Sequence, residues 1–348
     1  MSRWRIAVCT LVFLGAYALG CGFLARFAPE PVVPIVSPKL DWWRTHAEEY
    51  DTLIIGSSRT YRQIIPATFD AAMAAGGIPT RSYNLGIDGM RPPEDTYLLE
   101  RALAAHRTPL RFVVMECNAL KMEIPDDNAD TLRAVYWHDL PRMGVLWRLC
   151  FAPDYSGERR SAGKRFSSAW GNLRHYSDHA RLWLWRNAHV GAGNERLLAS
   201  IGIIPSAPTF IEVGPRKDGY RPPTTAERMS GKTLADYERR LAEILAHPAH
   251  GINYSDAESQ RELLRKRDIV LATGARPIFI APPLLESFVF TPAAECGVTF
   301  LNFAAPARYP ALYALENRRD SGHTNSAGSD IYTRLLADSL LHALHDSR

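Results

Sequence analysis

The sequence predicts an α/β fold: a doubly wound, mostly parallel five-stranded sheet with a largely helical insertion, preceded by one N-terminal transmembrane helix. Three observations carry this expectation. Five short, mostly apolar runs are spread along the chain, helical stretches lie between several of them, and one uninterrupted apolar run precedes them all. Near-continuous apolar runs mark strands covered on both faces, whereas strands with one wet face alternate.

The elements follow in order. Residues 6–25 are apolar or small throughout, with Arg3 and Arg5 in front and Arg26 behind. About 20 such residues suffice to cross a bilayer as a helix. The run exceeds a usual signal-peptide core, and arginines ahead of it hold the N-terminus in the cytoplasm. The expected state is a single-pass anchor in the cell (inner) membrane, with the rest of the chain extracytoplasmic or periplasmic. Cleavage stays open, because Ala16-Tyr17-Ala18 has small residues at a workable spacing and Leu19-Gly20-Cys21 resembles a lipoprotein box. Four prolines between Pro29 and Pro38 read as a stiff spacer. The expected organisation is an anchor at 1–27, a spacer at 28–48, a sheet domain at 49–118 and 270–348, and an inserted cap at 119–269.

Strands are expected at Thr52–Ile55, Ser82–Leu85, Phe112–Met115, Pro277–Ile280 and Val298–Leu301. Helices are expected at Pro66–Ala75, Glu94–Ala105, Ser255–Thr273 and Gly328–His342, the third opening on the capping box Ser255-Asp256-Ala257-Glu258. The interval between the third and fourth strands is far longer than a parallel crossover needs, so it must hold structure of its own. It carries Trp137, Trp147, Trp170, Trp183 and Trp185, the last two mixed with bases along Arg174–Arg186. Such rings can stack on sugars or acyl chains. The same pattern also suits a cap helix with Trp183 turned inward and a solvated basic face.

With 348 residues, 46% of them hydrophobic, the chain can bury one large core or two modest ones. Its net charge of +4 is too small to argue for nucleic acid, and none is expected as a partner. Of the five cysteines, Cys9 and Cys21 lie in the apolar run, and Cys117, Cys150 and Cys296 lack metal-type spacing. They read as buried thiols, with a disulfide open in an oxidising compartment. His175, Asp178 and His179 stand at helical spacing without a third histidine or a cysteine cluster, and His247 and His250 offer less. No metal or cofactor is expected.

Four segments could do chemistry. Gly56-Ser57-Ser58-Arg59 follows the first strand, at the carboxyl edge where open α/β sheets place ligands. A serine there is either a nucleophile or a helix cap. Asn84-Leu85-Gly86-Ile87-Asp88-Gly89 ends the second strand in a loop whose glycines let a backbone N–H face an oxyanion, or form a plain turn. Asn118, just past the third strand, could add an amide donor. Asp320 and His323 stand three apart, close enough for the carboxylate to hold the imidazole; alternatively Asn325 caps a helix and His323 is an exposed polar residue. A one-sided glycine at Gly56 disfavours the Gly-x-Ser-x-Gly elbow of the α/β-hydrolases.

Taken together, these motifs resemble the SGNH hydrolase superfamily, the GDSL-type esterases and lipases, over roughly residues 50–118 and 275–345. The resemblance implies an SGNH/flavodoxin-like fold. It makes Ser58, rather than Ser57, the nucleophile, with Asp320 and His323 completing the triad and the Gly89 N–H in the oxyanion hole. The Gly-x-Asn-Asp block is absent; Glu116-Cys117-Asn118 occupies its place, and Asn118 is the corresponding oxyanion candidate. This departure, the anchor and the C-terminal Asp-x-x-His resemble a membrane-anchored branch that includes the D-alanine transfer protein and alginate O-acetyltransferase-like proteins. Asp218-Gly219-Tyr220-Arg221 is similar to a segment of such proteins. The branch implies a membrane-anchored serine acyltransferase or acylesterase. Its implied partners are an acylated glycan or lipid-linked saccharide and a multi-spanning membrane acyltransferase. A simple extracytoplasmic esterase or lipase, or a non-catalytic glycan-binding or assembly subunit, are the alternatives.

Overall fold

The computed structural model describes residues 2–27, 32–124, 131–152, 162–188, 198, 201–203, 210–223, 229–246, 256–286 and 289–346. These form two compact units. One takes in the described residues up to Ser37 and those from Met122 to Ile203; the other takes in Pro38–Lys121 and the described residues from Phe210 onward. The 119–269 interval is therefore not one body: its part beyond 209 belongs with the sheet.

The sheet has five parallel strands, β1 (Thr52–Ile55), β2 (Ser82–Asn84), β3 (Phe112–Glu116), β4 (Arg276–Ala281) and β5 (Thr299–Asn302), in the order β2-β1-β3-β4-β5. In register, Leu53 sits beside Tyr83 and Val113, and Val114 beside Ile278. Alternate residues of a strand face opposite sides. Ile54, Val114, Ile278 and Ile280 enter one core with Phe69 and Met73 of helix Pro66–Ala75 and Tyr332, Leu336 and Leu340 of helix Ser326–His345. Their neighbours Leu53, Val113, Met115 and Phe279 are buried as well, so both faces of the sheet are covered. Helices Glu94–Ala105 and Ala257–Leu271 pack on one another.

Two helix starts differ from expectation. Asp256 caps Ala257–Leu271 by accepting from Ser259 N–H at 2.6 Å, and Ser255 lies outside the described residues. Asn325 caps Ser326–His345 by accepting from Gly328 N–H at 3.0 Å, two residues before the expected start at Gly328.

The proline-rich spacer stops short of its expected end. Val36–His46 is a helix; Pro38 lies in its first turn, where a missing N–H costs nothing. From Pro38 onward it belongs to the sheet unit: Trp43 is fully buried and its indole N–H donates to the Ala102 carbonyl at 2.8 Å. The buried area of one such ring is enough to hold a short helix against the domain.

In the other unit, Arg3–Phe27 is a 25-residue helix, and among the described residues one helix, near the N-terminus, is long and apolar enough to cross a membrane. Leu11, Val12, Phe13 and Leu19 are exposed along it. Tyr17 hydroxyl donates to the Ala188 carbonyl at 2.7 Å, tying it to helix Ala162–Ala188. All five cysteines are free thiols.

Candidate active site

The carboxyl ends of β1, β2 and β3 lead straight into Gly56–Arg59, Leu85–Gly89 and Cys117–Asn118. All three segments border one cavity of about 1150 Å³, with Ser58, Arg59, Gly89, Asn118, Leu284 and His323 among its lining residues.

The turn after β1 separates two serines by function. Ser57 has extended backbone and caps helix Ser58–Gln63, its Oγ accepting from Arg59 N–H at 3.2 Å. Ser58, the first helical residue, is left to face the cavity. Its Oγ lies 2.8 Å from His323 Nε2, across 265 residues of chain. The cap and the site-facing hydroxyl, alternatives in the sequence, are both present on adjacent residues.

His323 Nδ1 lies 2.9 and 3.1 Å from the two oxygens of Asp320. An ionised carboxylate only accepts, so Nδ1 carries the proton and the Nε2 lone pair faces Ser58. Burial pushes the Asp320 carboxyl up, but the His323 ring and the Gly322 N–H at 2.8 Å outweigh it and leave its pKa below the ordinary value. The loop is fixed from beneath by Arg318, whose guanidinium is buried and donates to the carbonyls of Asp320 (3.2 Å), Ser321 (2.7 Å) and Pro283 (3.2 Å). From helix Ser58–Gln63, Gln63 donates to the Gly322 carbonyl at 3.3 Å and accepts from Thr324 at 3.2 Å.

Asn84 is buried and works as a staple between segments. Its amide donates to the Thr60 and Ile64 carbonyls at 2.8 Å each and its oxygen accepts from Gly86 N–H at 2.9 Å, joining the serine's helix to the following loop. Gly89 holds φ +69°, a left-handed backbone that glycine adopts without strain. Among the described residues no acceptor takes the N–H of Gly89 or of Ser58. Lys39, fully buried, donates to the Gly86 carbonyl at 2.6 Å and lies 3.7 Å above the Tyr61 ring. Burial pushes its ammonium well below the usual lysine range, against the pull of Asp88, Glu212 and Asp218.

Asn118 also borders the cavity, with its Oδ1 accepting from Arg59 at 3.1 Å. The Asp218–Arg221 segment lies along the sheet's edge: Asp218 carbonyl accepts from Asn84 N–H at 2.8 Å, and a Cβ on Gly219 would come within 2.0 Å of the Asn84 oxygen.

Of the residues at helical spacing that could ligate a metal, His179 is otherwise engaged. His179 contacts His138 Nε2 at 2.8 Å and the Met122 carbonyl at 2.9 Å, and no metal-type cluster occurs among the described residues. His247 and His250 lie outside them. Glu116 is buried beside the serines, and the sequence marks it for a role there only as an acid closing the apolar run Phe112–Met115.

No protein-family model matches the chain, and no curated protein matches it.

Proposed function

We propose that this chain is a membrane-anchored serine acyltransferase or acylesterase of the SGNH type, built on a doubly wound sheet. It acts on a cell-envelope glycan or a lipid-linked saccharide. The observation that carries the reading is the unbroken relay from Ser58 through His323 to Asp320 at the edge of an open cavity.

Ser58 Oγ attacks the acyl carbonyl while its proton passes to His323 Nε2, and Asp320 stabilises the imidazolium. The carbonyl oxygen, now negative, is met by the N–H groups of Gly89 and Ser58, with Asn118 as a third candidate; loss of one such donor typically costs about 2.7–4 kcal/mol. The intermediate collapses, the alkoxide leaves with the proton from His323, and the acyl group stays on Ser58. A sugar hydroxyl or water then attacks, with His323 again the base. The two outcomes differ only in which acceptor the cavity admits.

Helix Arg3–Phe27 supports the anchor, and Arg3 and Arg5 favour a cytoplasmic N-terminus with the sheet unit in the periplasm. A multi-spanning membrane acyltransferase is the partner that would supply acyl groups from across the membrane.

A fluorophosphonate probe tests the reading on the full chain in detergent. Wild type is labelled, Ser58→Ala is not, and Ser57→Ala is still labelled, at a reduced rate. A folded wild type that resists the probe sinks the proposal in favour of a glycan-binding subunit.

A further inference from the structure

Glu116 closes β3 with its side chain wholly buried, yet most of its hydrogen bonds go to the turn holding the nucleophile. Oε2 accepts from Ser57 N–H at 2.7 Å and from Thr60 hydroxyl at 3.1 Å. Oε1 accepts from Ser57 hydroxyl at 2.9 Å and from Arg59 Nε at 3.0 Å, and lies 2.9 Å from Arg59 Nη2 as an ion pair. The carboxylate thus grips the residues on both sides of Ser58 without touching Ser58 itself. Arg59 carries the restraint outward: it donates to Asn118 at 3.1 Å and lies 3.8 Å from Glu286 on the cavity wall.

Only an anion suits this place. These donors, with the Asn118 side chain as a further partner, point at two oxygens, and an amide would set an N–H₂ against another donor. A buried carboxylate is tolerated because it is paired and fully hydrogen-bonded. Backbone must also come close: a Cβ on Gly56 would lie 2.1 Å from Thr60 Oγ1 and 2.6 Å from Glu116 Oε2, so the glycine makes room for the carboxylate.

We propose that Glu116 is a positioning residue for the acyl-transfer step, holding Ser57 and Arg59 so that Ser58 stays aimed at His323 and Asn118 stays at the cavity. The proposal rests on the serine chemistry above. A nucleophile displaced by about 1 Å loses on the order of 100-fold in rate, and the aim of Ser58 depends on the backbone of the two residues that Glu116 binds.

The test is Glu116→Gln in the full, detergent-solubilised chain. Fluorophosphonate labelling is expected to slow about 100-fold. In ester turnover kcat should fall with KM held, a split that general loosening of the fold would not produce. A crystal structure of the variant should show Ser58 Oγ out of hydrogen-bond reach of His323 Nε2. A folded variant that labels at the wild-type rate, or that keeps the Ser58–His323 contact, overturns the proposal. Should Glu116→Gln not fold, Arg59→Lys decides, since it keeps the charge but loses the fork that spans Glu116 and Asn118; slowed labelling supports the proposal and an unchanged rate overturns it. A wild type that never labels defeats the serine chemistry alone, and the variant's crystal structure still decides the positioning.

Discussion

His323 and His179 each have both ring nitrogens engaged, and their partners make them different groups. His323 has a carboxylate on Nδ1 and a serine hydroxyl on Nε2, beside an open cavity. His179, 2% exposed, has His138 on one nitrogen and the Met122 carbonyl on the other. The first ring can take a proton from Ser58 and have the resulting charge held by Asp320. The second has no acid hydrogen-bonded to it: burial disfavours the charged form and holds its pKa low against the Met122 carbonyl, and His138 itself is pushed down to about 2 by burial and by His179 beside it. Around that pair Asp178 pulls the other way, while His175 and Arg186 add to the depression. His138 Nδ1 also meets the Ala134 carbonyl. Two neutral rings bring two N–H protons to these three contacts, so one contact lacks a proton. Spacing along a helix shows where an imidazole stands; the groups across the fold from it decide whether it can do proton transfer.

The largest expected effect lies on the reactive side. Ser58→Ala should lower kcat on any ester the protein turns over by about 10⁶-fold, the scale of losing a triad serine; a steady-state assay on purified variant checks this. Next is Asp320→Asn, expected to cost about 10⁴-fold in kcat by leaving His323 in the wrong tautomer. His179→Gln should leave Ser58 labelling at its wild-type rate while lowering the melting temperature. A loss of labelling in that variant would break the comparison.

Acid should separate the two sites by window. The His138–His179 pair is held below the ordinary histidine value of 6.5, so below that pH the unfolded chain binds more protons than the folded one. Stability from the pair is therefore full above 6.5 and falls as the pH drops beneath it. Replacing both histidines with Gln should flatten the melting temperature between about pH 7 and about pH 5. Asp320 has the same sign in a lower window: held below 3.8, its contribution is full above that value and is lost as pH falls through its folded pKa. The smallest effect is expected at Asn325→Ala, about 1 kcal/mol for a lost cap, read by chemical denaturation.

Much of the sheet was legible because buried parallel strands are near-continuous apolar runs, and Thr52–Ile55 and Pro66–Ala75 end where expected. Helix Val36–His46 was not, because Pro38 and the prolines ahead of it mask a short pattern in which Leu40 and Trp43 are buried apolar anchors. The division of the 119–269 interval was equally hidden, since nothing local marks which half packs on the sheet.

By itself the sequence determined the local matters: which runs are strands, which helix is apolar enough for a bilayer, and that Ser58, Asp320 and His323 are of the right types at the right kinds of places. Tertiary structure alone decided that Ser57 caps while Ser58 faces His323, that His179 pairs with His138, and that a carboxylate 59 residues from Ser57 grips the turn between them. Hydrophobic period and capping act between neighbours in the chain. Hydrogen bonds between side chains on different strands and loops depend on which elements the fold brings within about 3 Å, and no spacing along one segment contains that information.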